Sequence, residues 1–81
     1  EEFLIILPDT ALADALAAVT RLQRELTKRF FLHRNEKLLI TFSAGVTAFR
    51  AEEPRKDAVA RADAAMYQAK QSGKNRVVAA D

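Results

Sequence analysis

Two stretches of this sequence gather residue types that could do chemistry. The first is Glu1-Glu2, a pair of carboxylates directly ahead of the unbroken apolar run Phe3-Leu4-Ile5-Ile6-Leu7. Carboxylates at the end of a strand suit a hard cation, because Mg²⁺ is usually held by one or two carboxylates together with substrate phosphates. An extended chain points successive side chains to opposite faces, so only one of the pair reaches a given cation unless the backbone turns there. The same pair also reads as the solvated acidic end of a strand.

The second stretch contains Asp63, Tyr67, Lys70 and Lys74, at steps of four, three and four, with the first three on one face of a helix and Lys74 just beyond Gly73. Between Ala64 and Val78 stand three cations, Lys70, Lys74 and Arg76, and no acid, so a local +3 sits on a chain whose net charge is +2. That imbalance favours a phosphate ligand. Lysines near a helix C-terminus also answer the helix dipole, and Asp63 and Tyr67 could simply pair along the helix surface.

The elements that must position these groups follow from hydrophobic spacing. Phe3 to Leu7, ended by Pro8-Asp9-Thr10, predicts a short strand buried on both faces. Thr10 is placed to cap a helix over about 11–30, whose apolar stripe runs through Leu12, Ala15, Leu16, Val19, Leu22, Leu26 and Phe30. Phe31-Leu32-His33 and the run from Leu38 to Thr47 flank Arg34-Asn35-Glu36-Lys37, which predicts a hairpin. In the longer run Ile40, Phe42, Ala44 and Val46 alternate with lighter residues at period two. Pro54 suits the first position of a second helix with an apolar stripe of Ala58, Val59, Ala62, Ala65, Met66 and Ala69, ended near Gly73. Arg76 to Ala80 predicts a last strand. The order strand, helix, hairpin, helix, strand is α+β, with no repeat and no internal domain boundary.

Composition excludes much else. A chain of 81 residues holds one small domain or part of one, and by surface scaling it hides only roughly 60–65% of its unfolded surface. Without cysteine there is no disulfide framework, no cysteine zinc site and no thiol nucleophile, and the single His33 builds no cluster. Thirteen basic against eleven acidic residues argue against binding a nucleic-acid polymer or an anionic membrane. The apolar runs are too short to span a bilayer, and the acidic start is no signal peptide.

Three blocks of letters resemble a known family. Glu1-Glu2-Phe3, ahead of the apolar run and Pro8-Asp9-Thr10, resembles the end of the Gly-Gly-(Asp/Glu)-Glu-Phe signature of the GGDEF family, the diguanylate cyclases. Thr41-Phe42-Ser43-Ala44-Gly45-Val46 is similar to that family's Thr-(Ile/Val)-Ser-Ile-Gly-Val strand. Residues 61–78 resemble its C-terminal Arg-Ala-Asp-x-Ala-(Met/Leu)-Tyr-x-Ala-Lys-x-x-Gly-(Arg/Lys)-Asn-Arg block. The blocks stand in the family's order and span nearly the whole chain.

The resemblance implies a ferredoxin-like, palm-like nucleotide-cyclase sheet and condensation of two GTP to cyclic di-GMP and pyrophosphate, with Mg²⁺ or Mn²⁺, at a homodimer interface. It implies that Glu1 is a metal ligand, that Glu2 assists metal binding or activation of the 3′-hydroxyl, and that Lys70 and Lys74 hold the triphosphate. Lys74 stands where Arg is commoner, which exchanges bidentate recognition for a point charge. Arg21 matches an arginine that in some members contacts cyclic di-GMP at an inhibitory site. A family domain is about twice this length, so residues 1–81 are expected to be its C-terminal portion, without the first metal-binding Asp, the phosphate loop, the two signature glycines and the Arg-x-x-Asp motif. The strands at 3–7 and 40–46 would then flank an absent first strand, and the segment alone is expected to be inactive. The implied setting is cytoplasmic, with an upstream sensor or receiver domain in a parent chain that could be membrane-tethered. Two other readings stand beside it: a degenerate GGDEF domain acting as a GTP or cyclic di-GMP receptor or dimerisation module, and a ferredoxin-like RNA-binding module. The last lacks a basic-aromatic motif.

Overall fold

The computed structural model describes residues 2–29 and 31–80. Helix α1 spans Leu12–Thr27, strands β1 (Phe31–His33) and β2 (Glu36–Leu38) form a hairpin, and β3 (Ala44–Thr47), α2 (Arg55–Gln71) and β4 (Val77–Ala80) follow. The strands form two small sheets, an antiparallel β1-β2 pair and a parallel β3-β4 pair. The architecture is α+β, and β3-α2-β4 is a βαβ unit.

Small side chains make that unit possible. On α2 the buried residues are Ala58, Ala65 and Ala69; the helix packs on β3, whose buried residue is Val46. At Gly45 the helix comes closer than any side chain would permit. A Cβ there would run into the Ala62 carbonyl oxygen and the Met66 amide nitrogen, which are backbone atoms and cannot swing away. α1 lies against β3 and β4 and contributes the buried Ala15. Among the described residues no large side chain is fully buried, so cohesion comes from close backbone approach rather than bulky core residues.

Four expectations about strands and helix starts need correction, and a fifth about the hairpin turn. Residues 2–7 form no ladder, and Phe3 to Leu7 are exposed, Phe3 by 85%, because no described strand lies beside them to satisfy the backbone or cover the side chains. The strand expected from Leu38 to Thr47 splits into β2 and β3, with 39–43 outside either sheet and Phe42 and Phe49 outside β3. The reason lies in its partner: β3 pairs with β4 from Ala44↔Val77 onward, one more bond joins the Ala44 amide to the Arg76 carbonyl at 3.0 Å, and before Arg76 the chain turns away. Thr10 does not cap α1; its hydroxyl donates to the Pro8 carbonyl at 2.9 Å, the N-cap is Ala11, and Asp14 in the first turn answers the dipole. Pro54 is the N-cap of α2 rather than its first helical residue.

The hairpin turn is shorter than the four residues expected. Arg34 and Asn35, with φ of 53° and 68°, form a two-residue loop that leaves His33 opposite Glu36. Positive φ at both central positions matches the right-handed twist of the flanking strands.

Gly45→Ala should destabilise the protein by at least the roughly 1–3 kcal/mol typical of an overpacked core, since backbone must move to admit the methyl group. Chemical denaturation followed by circular dichroism will measure it, and a loss below about 0.5 kcal/mol, the scatter of surface substitutions, would show that α2 is free to shift.

Candidate functional site

Where α2 ends, three successive residues take positive φ: Gly73 at 122°, Lys74 at 61° and Asn75 at 49°. Gly73 has no side chain to resist this. The Lys74 amide donates back to the Ala69 carbonyl at 3.0 Å, closing the helix with the wide hydrogen bond of a Schellman cap. The Ser72 amide and hydroxyl both donate to the Gln68 carbonyl, at 2.9 and 2.7 Å. This turn sets Lys74 beside Lys70 one helical turn earlier, and Arg76 folds its guanidinium over Gly73.

The two lysines line an open cleft of about 370 Å³ together with Thr41, Phe42, Ser43 and Asn75. Its floor is tied by the Asn75 amide donating to the Ser43 hydroxyl at 3.1 Å. Glu2 reaches the same place. Its carboxylate lies 3.9 Å from the Lys70 ammonium, the side chains being 63% and 46% exposed. A pair so open and so loosely spaced adds little stability. What matters is location: residues 68 positions apart bring a carboxylate to the rim of a cationic cleft.

Glu1 lies outside the described residues. Lys70 and Lys74 line one cleft and Glu2 lies against Lys70; residue spacing kept these as two separate stretches, and only the family resemblance assigned them to one site. Arg21 is not part of this group; it lines a separate depression on α1 with Arg24, Glu25 and Lys28. Asp63 and Tyr67 are exposed and do not line the cleft, and among the described residues no hydrogen bond joins them. Ser43 and Asn75 were not singled out by sequence. An Asn after Gly-Lys was the available signal, since Asn tolerates left-handed backbone better than most residues.

A second polar cluster holds the other end of α2. Arg61 donates to both Glu53 carboxylate oxygens, at 2.9 and 2.6 Å, to the Ala48 carbonyl at 2.8 Å and to the Thr47 hydroxyl. The Arg50 amide also donates to Glu53, at 3.1 Å, and Thr47 donates to the Ala80 carbonyl at 3.2 Å. Helix, loop and both strands of the unit are thereby joined. The Arg61 hydrogen bonds, helped by the Arg50 amide, hold the Glu53 carboxyl down at about 2 from an ordinary value of 4.5.

The family profile described as "Diguanylate cyclase, GGDEF domain" matches residues 1–76. The chain belongs to the GGDEF family. It is 46% identical over 81 residues to the response regulator PleD of Caulobacter vibrioides, aligned over 96% of this chain and 18% of that protein. It is 39% identical over 77 residues to the diguanylate cyclase DgcP of Pseudomonas aeruginosa, covering 95% of this chain and 12% of that one. Among solved structures, the GGDEF domain of DgcB from Caulobacter crescentus, crystallised with cyclic di-GMP, superimposes with a TM-score of 0.86 at 32% identity. That match takes in 93% of this chain and 44% of the other. The chain thus spans less than a fifth of the length of these two curated relatives.

A folded-state pKa below the unfolded one means that the Glu53 pair stabilises fully above about pH 4.5, and that this stability is lost as pH falls toward about 2. Thermal melts of the parent and of Glu53→Gln across that window should show the parent losing Tm more steeply, the two curves converging at the acid end. Parallel curves would mean that the pair contributes nothing to pH-dependent stability.

Proposed function

We propose that residues 1–81 are the C-terminal portion of a GGDEF domain that condenses two GTP to cyclic di-GMP and pyrophosphate, and that they supply its triphosphate cations and one of its metal-facing carboxylates. The observation that carries this reading is the meeting of Glu2 with Lys70 on the cleft that Lys74 also lines. The family membership and the cyclic di-GMP complex of the DgcB domain support it.

The residues suit the reaction. Each phosphodiester forms when the 3′-hydroxyl of one GTP attacks the α-phosphorus of the other; the hydroxyl proton departs and pyrophosphate leaves. Such chemistry asks the protein for positioning and charge neutralisation more than for covalent help. Lys70 and Lys74 neutralise the β- and γ-phosphate oxygens, and their acid-free surroundings leave that charge undivided apart from the weak Glu2 contact. Glu2, exposed and hard, fits one share of a Mg²⁺ or Mn²⁺ site whose remaining ligands include phosphate oxygens, and Glu1 is assigned the adjoining share. The cation, when bound, offsets charge on the transferring phosphate. Glu2 would help to hold that cation or accept the proton that leaves the 3′-hydroxyl.

Two such domains must face each other, because each bound GTP is attacked by the other's 3′-hydroxyl, so the working unit is a homodimer. The Arg21 depression is the place for product inhibition by cyclic di-GMP. No described helix is long and apolar enough to cross a membrane. The response-regulator relative supports an upstream sensor or receiver in the parent chain and, with it, a cytoplasmic setting. Residues 1–81 alone are expected not to convert GTP.

In the complete protein Lys70→Ala should weaken GTP by about 1.5–3 kcal/mol, the scale of a lost charge-assisted hydrogen bond. Calorimetry with GTP will measure it, and unchanged affinity would refute the triphosphate role. Glu2→Gln keeps the size and removes the anion; cyclic di-GMP production with Mg²⁺ should collapse. Production at the parental rate would make Glu2 no more than a solvated chain end.

A further inference from the structure

Lys74 reaches the cleft on a turn of three positive-φ residues, two of which are not glycine. Such backbone persists only where its surroundings impose it. The Schellman bond accounts for the Gly73 side of the turn. The other side is held from α1, by a residue 52 positions away. The Gln23 amide nitrogen, half-buried, donates to the Asn75 carbonyl at 3.0 Å and to the Asn75 side-chain oxygen at 3.0 Å. The Thr27 hydroxyl, one turn further along α1, donates to the Gln23 carbonyl at 2.8 Å and accepts from the Asn75 side-chain Nδ2 at 3.5 Å. From the opposite side the Asn75 backbone amide is fixed by Ser43. Asn75 is therefore gripped at its amide by Ser43, just ahead of β3, and at its carbonyl and side chain by α1.

We propose that Gln23 is a positioning residue for phosphate binding: it clamps Asn75 and thereby holds Lys74 in the left-handed conformation that lines the cleft. Gln23 does not itself line the cleft, so it acts only through the turn. The chemistry matches the task. A side-chain amide offers two N–H donors to two oxygens of one residue, which hydroxyl or carboxylate side chains cannot do. The inference rests on the reading of Lys74 as a triphosphate cation.

The test is a double-mutant cycle in the complete protein, with magnesium pyrophosphate as the probe in calorimetry. Gln23→Leu keeps the volume and removes the donors; Gln23→Glu keeps the shape and sets a carboxylate against the Asn75 carbonyl. Each should weaken pyrophosphate roughly three- to tenfold, the worth of one or two hydrogen bonds, with thermal melting confirming a folded protein. In a Lys74→Ala background the same changes should have no further effect, because the cation they position is gone. A purely structural Gln23 would give equal losses in both backgrounds, and that additivity would overturn the proposal. Hydrogen exchange at the Asn75 amide separates the two failures. If Lys74→Ala binds pyrophosphate like the parent, the triphosphate reading falls and the functional half of the proposal with it. Faster Asn75 exchange in Gln23→Leu would still establish the clamp, and unchanged exchange would remove it as well.

Discussion

The contact on which the rest depends is the direct approach of α2 to β3 at Gly45. Backbone touches backbone there, with Ala58, Ala65 and Ala69 completing a seam of small groups. A core without large, fully buried side chains has little apolar area to spend, and small domains are marginal for that reason. Close approach offsets this, since dispersion falls steeply with distance and dense packing recovers contact that bulk would otherwise provide. It also fixes where α2 ends relative to the sheet, and the end of α2 is where Lys70 and Lys74 stand.

The turn after α2 does several things at once. Three positive-φ residues reverse the chain, begin β4 at Val77 and so limit β3 to the four residues that β4 can pair. They also expose the helix terminus to the cleft. Arg61 and Glu53 anchor the other end of the unit, so the helix is held at both ends by polar contacts and along its length by alanine and glycine. The lysines themselves are left exposed, as groups that must meet a charged ligand should be, because burying them would raise the cost of their charge. Stability and function are thus divided between different residues of one helix.

The exposed run from Phe3 to Leu7 belongs to the same logic. Five exposed apolar side chains on a stretch that no described strand pairs are an edge that proteins normally cover. Yet its acidic end is already delivered to the cleft, since Glu2 sits at Lys70. The position of the carboxylate therefore does not depend on the run being paired within this chain.

Much of this could be read from residue order. Helical spacing of alanine and leucine places both helices to within about three residues at their ends, and Gly73 marks the true terminus of α2. The acid-free cation cluster and the letters around it lead to the family. Local patterns succeed in these cases because helix periodicity, turn chemistry and charge act over a few residues. Where the outcome hung on a partner distant in sequence, local pattern was silent or misleading. The apolar run at 3–7 and the alternation at 38–43 both have strand character, but a strand exists only when another backbone lies alongside to accept its hydrogen bonds. Gln23 shows no feature of its own that points to Asn75, and Glu53 none that points to Arg61. Only the packing of α1 and α2 on one small sheet brings those donors and acceptors within 3 Å of each other.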